Sequence, residues 1–220
     1  MEKTLNFRVR EDVSIYDDIL PNTKYIGEGC SKTTYAKDDL IYKLPIGYGV
    51  LDATSFTTTC EYPYEYEDFA SFIENTVAYD HPELVWSIGQ IVFEVMVWEH
   101  LKQLEAEGFD ISGFAEIKDY FVDKNGVPVI VQEYCHCDDE LRSTLPDYNG
   151  DIFEQKNCKT LEALREMGFY LRDIRYGNIG YNKDGILKCF DFGISDDNPI
   201  ENYDPYSDYE EGSDTYSYEY

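Results

Sequence analysis

Basic residues are scarce in this 220-residue chain. Its 18 Lys and Arg residues stand against 45 Asp and Glu residues, which gives a formal net charge of −27. A surface of that charge repels phosphate backbones and anionic lipids, so we expect neither nucleic-acid binding nor membrane association. A small phosphorylated ligand is not excluded, because its site needs only one or two local cations.

Long apolar runs are also missing. The longest, at 91–101 and 127–134, fall far short of the roughly 20 residues that span a bilayer. The N-terminal sequence MEKTLNFRVRED lacks the apolar segment of a secretion signal, and the six cysteines have no framework spacing, which favours reduced thiols. We expect a soluble, cytoplasmic protein.

The first half of the chain has the patterns of strands and one long helix. Short strands separated by turns are predicted within 1–43. Apolar residues at helical spacing predict a helix over 87–106. Two strands then follow over 115–134, joined by an Asn-Gly turn that is typical of a hairpin.

The second half is predicted to contain a helix and a smaller hairpin. Asp151 and Glu154 have the spacing of a capping box, which predicts that a helix begins after Gly150. A hairpin is predicted over 179–190. The last segment, 194–220, has nine acids, six tyrosines and no Lys or Arg, so we expect it to be disordered.

Three groups of residues together have the side chains and the turn that a catalytic site would need. Asp173 and Asn178 lie five residues apart, Asp191-Phe192-Gly193 follows thirteen residues after Asn178, and Gly27-Glu28-Gly29 precedes Lys43. A carboxylate and an amide are hard oxygen ligands for Mg²⁺, and a further carboxylate can accept a hydroxyl proton. A lysine can neutralise developing phosphate charge, and a glycine turn lets the backbone approach a triphosphate. Phosphoryl transfer from ATP requires these groups.

The order and spacing of these groups resemble the protein-kinase signature set. By that resemblance, Gly27 and Gly29 belong to the glycine-rich loop, Lys43 is the strand lysine, and Glu94 is the helix glutamate that pairs with it, with Glu99 as its rival. The adenine-binding hinge falls at 132–135 and implies nucleotide contacts at Glu133 and Cys135.

The resemblance also implies the roles of the catalytic residues. Asp173 would be the catalytic base, Arg175 would neutralise the transferring phosphate, and Asn178 and Asp191 would bind Mg²⁺. A basic residue two positions after the base is the pattern of serine/threonine kinases.

The chain departs from the family pattern at several positions. Leu171 stands where the family has a histidine, and Lys32 replaces the third loop glycine, which suggests a looser phosphate cover or an extra cation. Residues 45–88 lengthen the chain between Lys43 and Glu94 and suggest an insertion. Only 27 residues follow Gly193, without an Ala-Pro-Glu motif. The resemblance is therefore to truncated kinase-like proteins, which are known from bacteriophages and large DNA viruses.

We therefore predict an α+β, two-lobed fold of the protein-kinase-like superfamily. Residues 1–134 form a sheet-containing N-lobe, 135–193 a reduced helical C-lobe, and 194–220 a tail. The predicted activity is transfer of the γ-phosphoryl group of ATP to a serine or threonine of a protein, or of the chain itself. Two alternatives stay open: a pseudokinase or acidic binding module that sequesters a partner, and a small-molecule kinase.

Overall fold

The computed structural model describes residues 7–29, 31–46, 82–137, 148–169, 171, 174 and 176–192. The tail and most of the predicted insertion lie outside the described residues, so the domain boundaries stay predictions. In the described part of the chain, no helix is long and apolar enough to cross a membrane.

A six-stranded sheet forms the N-terminal part of the fold. Its strands are β1 (Arg8–Arg10), β2 (Lys24–Glu28), β3 (Lys32–Lys37), β4 (Leu40–Pro45), β5 (Ile117–Asp123) and β6 (Pro128–Glu133). They lie side by side in the order β1-β5-β6-β4-β3-β2. Every neighbouring pair is antiparallel except β1 with β5. Strands β4 and β6 therefore lie at the centre of the sheet.

A 25-residue helix, α1 (Pro82–Ala106), packs against this sheet. It begins five residues before the predicted start and ends where the sequence predicts, just before Gly108, whose φ of 95° suits a helix terminus. Residues 87–95 are all buried. A polar side chain in that stretch must therefore find a partner inside the protein.

The C-terminal part contains a second helix and a small hairpin: α2 (Tyr148–Glu166), a helical turn (Tyr176–Asn178), β7 (Ile179–Tyr181) and β8 (Leu187–Cys189). Since α2 begins at Tyr148, Asp151 lies in its first turn and the predicted capping box is wrong. Gly150 is buried, and a Cβ there would lie 3.3 Å from the Ile174 carbonyl oxygen. Gly150 therefore permits close packing of the helix against the Ile174 backbone.

The β7–β8 hairpin is hydrogen-bonded to the rest of the fold on both sides. On one side, the Cys189 N–H donates to the Gly113 carbonyl (2.8 Å) and the Ala115 N–H donates to the Cys189 carbonyl (2.8 Å). On the other, His136 and Tyr181 exchange backbone hydrogen bonds of 2.8 and 3.0 Å. The residues that follow β8 are thereby placed against the sheet and α1.

The predicted α+β fold is confirmed, with strands dominating the N-terminal part and helix α2 the C-terminal part. Both predicted hairpins are present, and each turn contains a glycine with positive φ: Gly126 at 85° and Gly185 at 73°.

Gly180 permits the close approach of β7 to the segment after β6. A Cβ at this position would lie 2.6 Å from the His136 carbonyl oxygen, a backbone atom that cannot rotate away. We expect Gly180→Ala to lower the free energy of unfolding by about 1–3 kcal/mol. At Gly27 a Cβ would meet no atom within 4 Å, so Gly27→Ala is the matched control. Urea denaturation measures the free energy of unfolding of both variants. Equal losses in the two would contradict the role of Gly180 in the close approach of β7.

Candidate active site

Lys43 extends from the central strand β4 into the interior. It pairs in register with Thr34 of β3 and Ile130 of β6, and its side chain is 5% exposed. Its ammonium donates hydrogen bonds to the Glu94 carboxylate and to the Phe190 backbone carbonyl. The lysine predicted from the sequence therefore joins the sheet, helix α1 and the chain that leaves the β7–β8 hairpin.

Glu94 is the carboxylate of α1 that meets Lys43. Its side chain is 1% exposed, and each of its two oxygens pairs with a different lysine, Oε1 with Lys43 and Oε2 with Lys32. The rival Glu99 instead pairs with Lys102 at 2.6 Å and accepts a hydrogen bond from the Tyr120 hydroxyl. Of the two glutamates, the structure thus brings Glu94 to the predicted site.

Lys32 is a second cation in the same place. Its Nζ lies 2.7 Å from Glu94 Oε2 and 2.6 Å from Asp191 Oδ1. Burial would lower the pKa of Lys32, but the carboxylates of Asp191 and Glu94 outweigh it and raise the pKa above the ordinary lysine value. The sequence indicated this residue only as a cation in place of a loop glycine. Its position between two carboxylates was not predicted.

The chain after β8 positions Asp191, whose side chain is 30% exposed. Phe192, the next residue, is buried and packs edge-on against Phe114, with ring centroids 5.9 Å apart. On the other side of Asp191, the Phe190 N–H donates to the Asn178 carbonyl at 2.9 Å. This hydrogen bond holds Asn178 beside Phe190, which directly precedes Asp191. The two predicted Mg²⁺ ligands therefore lie on two segments that are hydrogen-bonded to each other.

The donor types of Asn178 and Asp191 fit Mg²⁺, which prefers carboxylate and amide oxygens. Asn178 is buried. Among the described residues, no group of three or more His, Cys, Asp or Glu side chains has the arrangement of a metal site. A metal ion held by Asn178 and Asp191 would need further oxygens from a ligand, as is common for Mg²⁺.

The two predicted hinge residues lie at and just after the end of β6. The Glu133 carboxylate pairs with Lys188 of β8 at 2.5 Å and accepts the Glu116 N–H at 2.8 Å. Burial would raise the pKa of Glu133, but the hydrogen bond from Lys188 and these other contacts lower it. Burial raises the pKa of the Cys135 thiol to about 12, so the thiol stays protonated at neutral pH.

Gly27 and Gly29 lie where β2 turns into β3. The Gly29 N–H donates to the Lys32 carbonyl at 2.9 Å. Neither glycine is required by the packing around it: a Cβ would meet nothing within 4 Å at Gly27 and only the Lys32 carbonyl oxygen, at 3.9 Å, at Gly29.

Two predicted catalytic residues, Asp173 and Arg175, lie outside the described residues, so their roles stay predictions. Their described neighbours Leu171 and Ile174 are partly buried against the core.

No protein-family model and no curated protein sequence matches the chain. Solved structures match it in fold alone. An apo form of PpkA-294 has a TM-score of 0.43 and 14% identity over 77% of this chain and 57% of its own. WbdD, co-crystallised with the kinase inhibitor LY294002, has a TM-score of 0.38 and 14% identity over 76% of this chain and 32% of its own.

A third match is the CAK complex from Chaetomium thermophilum bound to ATP-γ-S. Its TM-score is 0.41 and its identity 17%, over 78% of this chain and 45% of its own. The chain thus spans less than two thirds of the length of these three matched chains. All three TM-scores are below 0.5, so these likenesses carry no argument about function.

The buried position of Glu94 predicts that its charge is needed for stability. In Glu94→Gln, two buried lysines lose the carboxylate they share, and we expect the free energy of unfolding to fall by about 3–5 kcal/mol. Glu99→Gln, on the same helix, removes a partly exposed pair and should cost less than about 1 kcal/mol. Urea denaturation of both variants measures the difference. A loss at Glu94 no larger than that at Glu99 would contradict the central position of Glu94.

Proposed function

We propose that this chain binds Mg-ATP and transfers the γ-phosphoryl group to a serine or threonine hydroxyl, on a protein or on itself. The observation that carries the proposal is the row of alternating charges formed by Lys43, Glu94, Lys32 and Asp191. It lies where the sheet, helix α1 and the end of the β7–β8 hairpin meet.

Stability alone is a poor explanation for this row of charges. Buried ion pairs are often no better for stability than apolar side chains of similar volume, because desolvation offsets the attraction. This chain has only 18 basic residues, yet two of them are buried at one point. Charged groups held in this way are typical of functional sites. The two lysines and two carboxylates of the row cancel in net charge, so a bound Mg²⁺ would supply the positive charge that balances a triphosphate, while the lysines would donate hydrogen bonds to its oxygens.

The residues around the row fit the remaining parts of a nucleotide. Gly27 and Gly29 have no packing reason to be glycine, and their lack of side chains would let backbone N–H groups approach phosphate oxygens. Because the Glu133 carboxylate is already paired with Lys188, Glu133 would contact adenine through its backbone. We assign Cys135 to the same adenine contact.

In the proposed reaction, Asn178 and Asp191 would hold Mg²⁺, which would neutralise phosphate charge. Lys43, fixed by Glu94, orients the phosphates. Asp173 accepts the proton of the acceptor hydroxyl, and the acceptor oxygen bonds to the γ-phosphorus as the bond to ADP breaks. Arg175 neutralises the charge on the transferring group. The assignments of Asp173 and Arg175 are supported by the sequence resemblance alone.

Labelled γ-phosphate transfer tests this proposal. The purified chain, with and without cell extract, should label a protein band or itself, and phosphoamino-acid analysis should find phosphoserine or phosphothreonine. Asp191→Asn removes a proposed Mg²⁺ ligand and should lower the rate by at least about 100-fold. Asp184→Asn is the matched control, because Asp184 is exposed in the turn of the same hairpin.

The other outcomes separate the alternatives. Retained transfer in Asp191→Asn would rule out the assigned site. No label in any sample, with Mg-ATP still bound, would indicate a pseudokinase or acidic binding module. Label in a small molecule of the extract, and in no protein, would indicate a small-molecule kinase.

A further inference from the structure

Lys32 differs from the other lysine of its strand in its surroundings. It is the first residue of β3, directly after the turn at Gly29, and it is buried, whereas Lys37 at the other end of β3 is exposed. Its register partner is Pro45 at the end of β4. The backbone of the turn therefore fixes the point from which the Lys32 side chain enters the site.

The two lysines of the site have different partners. Lys43 donates to Glu94 and to a backbone carbonyl, so it is tied to the framework of the fold. Lys32 donates to Glu94 and to Asp191. Asp191, whose side chain is 30% exposed, is the solvent-facing end of the charge row, and Lys32, 7% exposed, lies between it and the buried Glu94.

An ammonium group has three N–H donors, and within the described residues Lys32 uses two of them, one for each carboxylate. The third is available to a ligand oxygen. Asp191 is also the carboxylate that we assign to Mg²⁺, and a cation bound to it competes electrostatically with the ammonium for the same charge. Binding of Mg²⁺ at Asp191 would therefore release a second donor of Lys32.

We propose that Lys32 is a second phosphate-binding lysine, held by Asp191 while the chain is free of nucleotide. The proposal deepens the proposed function and rests on it. When Mg-ATP binds, Lys32 keeps its bond to Glu94 and donates to a phosphate oxygen. The loop that carries a cation in place of the third glycine thus supplies a charge to the nucleotide.

Binding measurements on the purified chain by isothermal titration calorimetry, with Mg-ATP and with adenosine as probes, test this proposal. Lys32→Met should weaken Mg-ATP binding by about 10- to 100-fold, because a charge-assisted hydrogen bond to phosphate is lost. Adenosine has no phosphate, so its affinity should not change. Lys37→Met, in the same strand, should change neither the affinity for Mg-ATP nor the affinity for adenosine. Lys32→Gln, which keeps a hydrogen-bond donor without the charge, serves if the Met variant does not fold.

Each other result overturns a specific claim. Unchanged or tighter Mg-ATP binding in both Lys32 variants, with adenosine bound as in the wild type, would make Lys32 only a counter-ion of Asp191. That result would leave the proposed function standing. A wild-type chain that binds neither Mg-ATP nor adenosine would overturn the proposed function and, with it, the role of Lys32.

Discussion

The carboxylate of Glu94 is the group on which the rest of the site depends. It lies in the fully buried part of helix α1 and shares its two oxygens between Lys32 and Lys43, which come from neighbouring strands. A buried lysine without a carboxylate partner would lose its charge or unfold its surroundings. The position of α1 against the sheet therefore determines whether either lysine can present a charge to a ligand.

The second requirement is that the β7–β8 hairpin be held close to this helix. Backbone hydrogen bonds of Cys189 and the ring of Phe192 hold the hairpin against residues 113–115, and the pairing of Lys188 with Glu133 holds it against β6. Their common result is that Asp191 comes within 2.6 Å of the Lys32 ammonium. The charge row is thus assembled by contacts between segments that are far apart in sequence.

The sequence predicts local features of the fold well and long-range pairings less well. Both hairpins follow from their turn residues, and the pairing of Lys43 with Glu94, 51 residues apart, follows from the family pattern. The pairing of Lys32 with Asp191, 159 residues apart, depends on how the hairpin packs against the sheet. Local patterns carry no information on such packing. The capping prediction at Asp151 was also wrong, because α2 begins at Tyr148 and Gly150 lies in its first turn, packed against the Ile174 backbone.

A crystal structure of the chain with Mg²⁺ and a non-hydrolysable ATP analogue tests the central claim most directly. The account predicts that Lys43 remains paired with Glu94, that Asn178 and Asp191 bind the metal, and that Lys32 lies within hydrogen-bonding distance of a phosphate oxygen. An analogue bound away from these residues, or an unchanged pair between Lys32 and Asp191 beside a bound nucleotide, would contradict it.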